Sequence, residues 1–68
     1  MDITVNGTAR TYAVSVSVAE LVGELGVGEA PRGVAVALNG EVVPRSGWAT
    51  TVVSAGDRVE VLTASQGG

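Results

Sequence analysis

The residues best suited to chemistry stand at the end of the chain. Gln66-Gly67-Gly68 closes a sequence of 68 residues, and a carboxylate preceded by residues without Cβ atoms can thread a narrow channel and meet an attacking group with little hindrance. Such an end is a handle for chemistry done by another protein, although small, polar last residues also occur at the ends of ordinary domains. Elsewhere the means of catalysis are thin. A catalytic site needs a nucleophile, an acid or base tuned near neutrality and a stabiliser of developing charge. The chain has no Cys and no His, and its four basic residues are all arginines, Arg10, Arg32, Arg45 and Arg58. Gly26-Val27-Gly28 lacks both the rest of a dinucleotide fingerprint and the Lys and Ser/Thr of a phosphate loop, and reads as a turn. Asp57 and Glu60 read as solvated carboxylates at a strand, and the acids are too dispersed to form a loop of oxygen ligands for a metal. The expectation is therefore no catalytic residue and no metal ligand, which leaves the terminus, with Gly68 as the reacting position if carboxyl-group chemistry is done here.

Composition narrows the class. A chain of this length forms one small core and buries only about 60% of the surface its unfolded form exposes. It has neither a disulfide nor a common metal site as a staple, so packing of its 46% hydrophobic residues must suffice. No apolar run approaches the length of a membrane span, and Met1-Asp2-Ile3-Thr4-Val5 lacks the basic segment and apolar stretch of an export signal. The expectation is a soluble cytoplasmic protein. The formal charge of -3 and the scattered arginines argue against nucleic acid, which rewards a concentrated basic face. A mildly acidic surface favours a partner with a basic docking patch. Without lysine, the chain cannot accept an isopeptide-linked modifier on its own side chains. In carboxyl-group chemistry it is the donor.

The elements that must present this end follow from the pattern. Ile3 and Val5 alternate with polar residues up to Asn6-Gly7, a pair that adopts the positive φ angles of a tight hairpin. A second strand is expected over residues 11–16, with Tyr12, Val14 and Val16 on one face. Ser17-Val18-Ala19-Glu20 has the spacing of a capping box. Val18, Leu21, Val22 and Leu25 then form one apolar helical stripe, with Glu24 outward and Gly26 as the left-handed cap. Residues 26–33 read as a loop. Val34-Ala35-Val36-Ala37-Leu38 is the most strand-like run. It turns at Asn39-Gly40 into Glu41-Val42-Val43, which Pro44 ends. Residues 45–51 have no decided form, and Trp48 is expected as a lid on the core. Ser54-Ala55-Gly56-Asp57 is a turn before the closing strand Arg58-Val59-Glu60-Val61-Leu62-Thr63. This order implies an α+β fold, a mixed β-sheet packed on one α-helix, as in ubiquitin-like β-grasp proteins. A small open β-barrel with one helix is the alternative. One β-grasp domain is expected over residues 1–63, with a flexible C-terminal tail over residues 64–68.

Fully extended, that tail spans about 16 to 18 Å, enough to carry Gly68 into another protein's active site. Ordering it costs about 5 to 10 kcal/mol of backbone entropy, comparable to the whole binding energy of a micromolar complex. The folded body must then supply docking energy. If Val34, Val36, Leu38, Val59 and Val61 point inward, alternation turns Ala35, Ala37, Arg58, Glu60 and Leu62 outward on the face opposite the helix. Those five residues are the candidate docking face. Scattered outward Ala and Leu are also ordinary on a protein surface.

The sequence also resembles a known family. Val36-Ala37-Leu38-Asn39-Gly40-Glu41-Val42-Val43-Pro44-Arg45, then Trp48, then Gly56-Asp57-Arg58-Val59-Glu60-Val61 and the final Gln66-Gly67-Gly68 resemble, in order, the thiamine-pathway sulfur carriers of the ThiS family. Ile3-Thr4-Val5-Asn6-Gly7 and Val18-Ala19-Glu20-Leu21 fit as well. Ser65 departs from the apolar residue expected before Gln-Gly-Gly. The resemblance implies that the chain is a protein cosubstrate rather than an enzyme and binds no cofactor of its own, and that a ThiF-type adenylating enzyme, using ATP and Mg, joins the Gly68 carboxylate to AMP. A persulfide sulfur donor then leaves a thiocarboxylate on Gly68. Gln66, Gly67 and Gly68 would thread into the partner, and thiazole synthase, ThiG, would take the sulfur for the thiazole ring. The small subunit of molybdopterin synthase, another diglycine-ended carrier, and a noncatalytic ubiquitin-like interaction module are the other readings.

Overall fold

The computed structural model describes residues 1–26 and 33–63. Strand β1 (Asp2–Val5) and strand β2 (Thr8–Thr11) flank the Asn6-Gly7 turn. The positive φ angles there, 52° at Asn6 and 82° at Gly7, are those of a two-residue hairpin turn, which asparagine and glycine tolerate. The turn pairs Val5 with Thr8 and Asp2 with Thr11. This corrects the expected second strand over residues 11–16. Pairing resumes at once after a two-residue turn, and β1 is used up by the bond from the Tyr12 amide to the Met1 carbonyl. Beyond that rung the chain leaves the sheet, and Val14 lies 71% exposed rather than on a buried strand face.

Strand β3 (Val16–Ser17) runs directly into helix α1 (Val18–Glu24). Ser17 and Glu20 form the reciprocal capping box read from the sequence: the Glu20 amide donates to Ser17 Oγ at 3.0 Å, and the Ser17 amide donates to Glu20 Oε1 at 2.8 Å. Val18, Leu21 and Val22 are buried, and Leu25 packs partly against the same core. Gly26, at φ 78°, bonds back to the Gly23 carbonyl and ends the helix as a left-handed residue does.

Strand β4 (Val34–Leu38) and strand β5 (Glu41–Val43) form the second Asn-Gly hairpin. A short 3-10 helix (Arg45–Gly47) follows, then strand β6 (Val52–Val53) and strand β7 (Arg58–Thr63). The 3-10 turn sets Trp48 into the core at 7% exposure, where its Nε1 donates to the Val43 carbonyl at 2.9 Å. The indole thus buries its ring without orphaning its N–H, as the lid reading requires. Arg45 stacks over the ring at 4.7 Å from its centroid.

The five-stranded sheet has the order β2-β1-β7-β4-β5, with β7 parallel to β1 and antiparallel to β4. Strands β3 and β6 make a separate two-stranded ribbon. The large sheet is open and mixed, so the barrel alternative does not hold, and the architecture is the ubiquitin-like β-grasp. The core is almost wholly aliphatic. Ile3, Val5, Val36, Val59 and Val61 of the sheet join Val18, Leu21 and Val22 of the helix, with Val53 and Trp48 closing the side. Val34 and Leu38 are only partly buried at the ends of their strand.

Candidate functional site: the open sheet face and the closing strand

Among the described residues the helix covers one face of the sheet and leaves the other open, and register decides which residues share that open face. Ala35 stands opposite Leu62, and Ala37 opposite Glu60. Thr4 stands beside Arg58 on the parallel side. With Val36, Val59 and Val61 buried, period-two alternation places Ala35, Ala37, Arg58, Glu60 and Leu62 together on the outer face. Leu62 is 67% exposed.

Val42 completes this surface, and the sequence reading omitted it. It pairs with Ala37 and is 77% exposed. Two adjacent valines hide which one faces out. The signal that finds it is the turn, because a two-residue Asn39-Gly40 loop pairs Leu38 with Glu41 and so puts Val42 on the side of Ala37. Val42, Ala37 and Glu60 thus form one row across three strands, with Ala35 and Leu62 in the next. The result is a shallow apolar strip with an acidic and a basic group, Glu60 and Arg58, on its β7 border. Small side chains on β4 leave the strip flat enough for a partner surface to approach the sheet.

The closing strand leads from this face to the end of the chain, and two asparagines hold it. Asn39, at φ 52°, donates its amide to the Arg58 carbonyl at 2.7 Å and accepts from the Arg58 amide through Oδ1 at 2.9 Å. Its Nδ2 donates to Asp57 Oδ1 at 3.0 Å. The other Asp57 oxygen accepts from the Ser54 amide at 2.7 Å, closing the turn before β7. Asn6 acts further along. Its Nδ2 donates to the Val61 carbonyl at 3.0 Å, and its Oδ1 accepts from the Val61 amide at 2.8 Å. Both turns are legible in the sequence, but these side-chain contacts to β7 are not.

On the helix side, the Tyr12 hydroxyl donates to Glu24 Oε1 at 2.8 Å, and Arg10 meets the same oxygen at 3.4 Å. Partial burial, and then the bond to Glu24, raise the Tyr12 phenol above its usual 10.0. This cluster ties β2 to the helix end and lies away from the open face. No group of acids among the described residues has the arrangement of a metal site, and none of the described helices is long and apolar enough to cross a membrane. Gln66, Gly67 and Gly68, together with the expected tail over residues 64–68 and the glycine loop at residues 27–32, lie outside the described residues.

Comparison with known proteins is consistent with this architecture. The ThiS family model matches residues 3–68. The crystal structure of a thiamine biosynthesis protein, ThiS, from Geobacter metallireducens is similar at 43% identity and a TM-score of 0.81, with 100% of both chains covered. A solution structure of a thiamine biosynthesis protein from the same organism gives 44% identity and a TM-score of 0.82, covering 100% of this chain and 88% of that one. A thiazole synthase of Paramagnetospirillum magneticum is 41% identical over 68 residues, which is 100% of this chain but only 20% of that protein. This chain therefore spans about a fifth of the length of that curated relative. A family match over nearly every residue, supported by full-length structural agreement, establishes that the chain belongs to the ThiS family.

Proposed function

We propose that the chain is a sulfur carrier of thiamine biosynthesis, and that the α-carboxyl of Gly68 is the group that carries the sulfur. The observation that supports this most is the ThiS family match, which extends to residue 68. The thiazole synthase relative, which includes a stretch similar to this whole chain, supports thiazole synthesis as the destination of that sulfur. The same observation favours a thiazole-forming acceptor over a molybdopterin-forming one.

A carboxylate is a poor electrophile, so the first step is activation. In this reading, a Gly68 carboxylate oxygen attacks the α-phosphorus of Mg-bound ATP on a ThiF-type enzyme and expels pyrophosphate, leaving an acyl adenylate. A persulfide sulfur then attacks the acyl carbon and AMP departs. Cleavage of the sulfur–sulfur bond by a thiol leaves the thiocarboxylate. Thiazole synthase, ThiG, receives that sulfur. The nucleotide, the metal and the persulfide belong to the partners, and this chain supplies the carboxyl group and the surface that delivers it. The strip formed by Ala35, Ala37, Val42 and Leu62, bordered by Arg58 and Glu60, is the docking face in this account. Gln66 and Gly67 follow the Gly68 carboxyl into the partner's channel.

The test is adenylation by a ThiF-type enzyme, read as pyrophosphate release that depends on this chain. Addition of one residue after Gly68 should abolish that release, because it removes the free carboxyl from the required position. Release that persists with the added residue overturns the assignment, and docking that survives while release is lost supports it.

A further inference from the structure

The closing strand is fastened unequally along its length. On the β4 side it is paired from Val59 to Thr63, and on the β1 side only Arg58 and Val59 have strand partners. Strand β1 ends at Val5, so the backbone of Val61 would face the missing end of β1. Asn6 fills that place. Its amide donates to the Val59 carbonyl at 2.9 Å, and its side-chain amide then takes both polar groups of the Val61 backbone, at 3.0 and 2.8 Å. A carboxamide has one donor and one acceptor side by side, so it reproduces the pair that one more strand residue would offer. The left-handed backbone at Asn6, φ 52°, turns the side chain back to β7, a conformation that few residues other than Asn, Asp and Gly adopt readily.

We infer that Asn6 is a positioning residue, whose carboxamide clip on Val61 steadies the β1 side of β7 and so the direction in which the strand leads on toward Gly68. The inference rests on the proposed role of Gly68. Val61 stands seven residues before Gly68, and among the described residues the clip is the last fastening of β7 on its β1 side. A loose β7 end lets the following residues sample directions that miss the partner's channel, and every such direction adds to the entropy lost when the tail is threaded. Because Asn6 is not part of the outer strip, its loss leaves docking intact and lowers the fraction of docked complexes that react.

Asn6→Gly is the informative change, since glycine accepts the turn's backbone angles and removes only the clip. Asn39→Gly is its control. It deletes the asparagine at the start of β7, whose side chain likewise makes two hydrogen bonds. The assays are steady-state adenylation with an ATP-dependent carboxyl-adenylating partner and amide hydrogen exchange at Val61. For Asn6→Gly the expected result is faster exchange at Val61, a kcat about tenfold lower, the loss of two modest hydrogen bonds setting that scale, and a KM within twofold of the parent. Asn39→Gly should keep its kcat. Unchanged exchange at Val61, unchanged kcat, a rise in KM alone, or an equal loss of kcat in Asn39→Gly overturns the inference. If the parent chain itself is not adenylated, the proposed function falls and takes this inference with it. A parent that reacts normally while Asn6→Gly matches it defeats the inference alone.

Discussion

Leu21→Ala tests the packing that holds the open face in place. Leu21 is 1% exposed and sits on the inward stripe of a helix of only seven residues, so its side chain has little room to be replaced by water or by a neighbour. Truncation of a buried leucine to alanine costs about 2 to 5 kcal/mol, the larger values where the site cannot collapse. A stability of about 0.05 to 0.15 kcal/mol per residue gives a chain of this size about 3 to 10 kcal/mol in total. The substitution therefore removes between a fifth and all of it. With a urea dependence of about 1 kcal/mol/M, at the low end for small domains, the unfolding midpoint falls by about 2 to 5 M. The single tryptophan, Trp48, is buried in the same core and reports unfolding by its fluorescence. Leu21→Met, which nearly preserves volume, should cost less than about 1.5 kcal/mol. A Leu21→Ala loss below about 1 kcal/mol would refute the reasoning, because it would mean that the helix does not press this side chain into a close-packed core.

Other changes probe separate parts of the account. Ser17→Ala removes one half of the capping box and should cost about 1 kcal/mol, a fall of about 4 to 8 °C in Tm by calorimetry; an unchanged Tm contradicts the capping assignment. Leu62→Asp on the outer strip should leave Tm nearly unchanged and raise the KM for the adenylating partner about tenfold, the scale of a modest interface hot spot; an unchanged KM removes Leu62 from the docking face. Gly68→Ala should slow adenylation and leave denaturation curves untouched, and full activity would count against threading of the tail. Tyr12, the single tyrosine, should ionise above 10.0, followed by phenolate absorbance. Because the folded state holds this proton more tightly, the contribution of the hydroxyl to stability is complete below the unfolded pKa. It is lost as pH rises through the folded one. Glu24→Gln should bring the midpoint part of the way back, since burial remains, and a midpoint that does not move removes the carboxylate from the explanation.

The legible parts of this fold are those where a short stretch of sequence determines its own geometry. Ser17 and Glu20 announce the helix start because the capping box is made wholly within four residues. The two Asn-Gly pairs announce their hairpins because the turn demands positive φ angles, and alternation from Val34 to Leu38 and from Arg58 to Leu62 sorts inner from outer faces. What stayed hidden depends on distant partners. Thr8–Thr11 carries no apolar alternation, since Arg10 on the inner side reaches the helix end at Glu24, and only pairing with β1 makes it a strand. The β3–β6 ribbon consists of two-residue strands, too short for any period to show. Val42 was concealed by its neighbour Val43 until register separated them. Asn6 was legible as a turn residue, but its bonds to Val61, 55 positions away, are a property of the assembled sheet.

Sulfur on Gly68 is read from the intact mass of the protein isolated from its native host during thiamine synthesis, with fragmentation to locate any change. The expected result is a fraction of molecules carrying one oxygen-to-sulfur exchange confined to Gly68. An exchange located elsewhere, or a full thiamine supply in cells whose chain lacks Gly67 and Gly68, would contradict it.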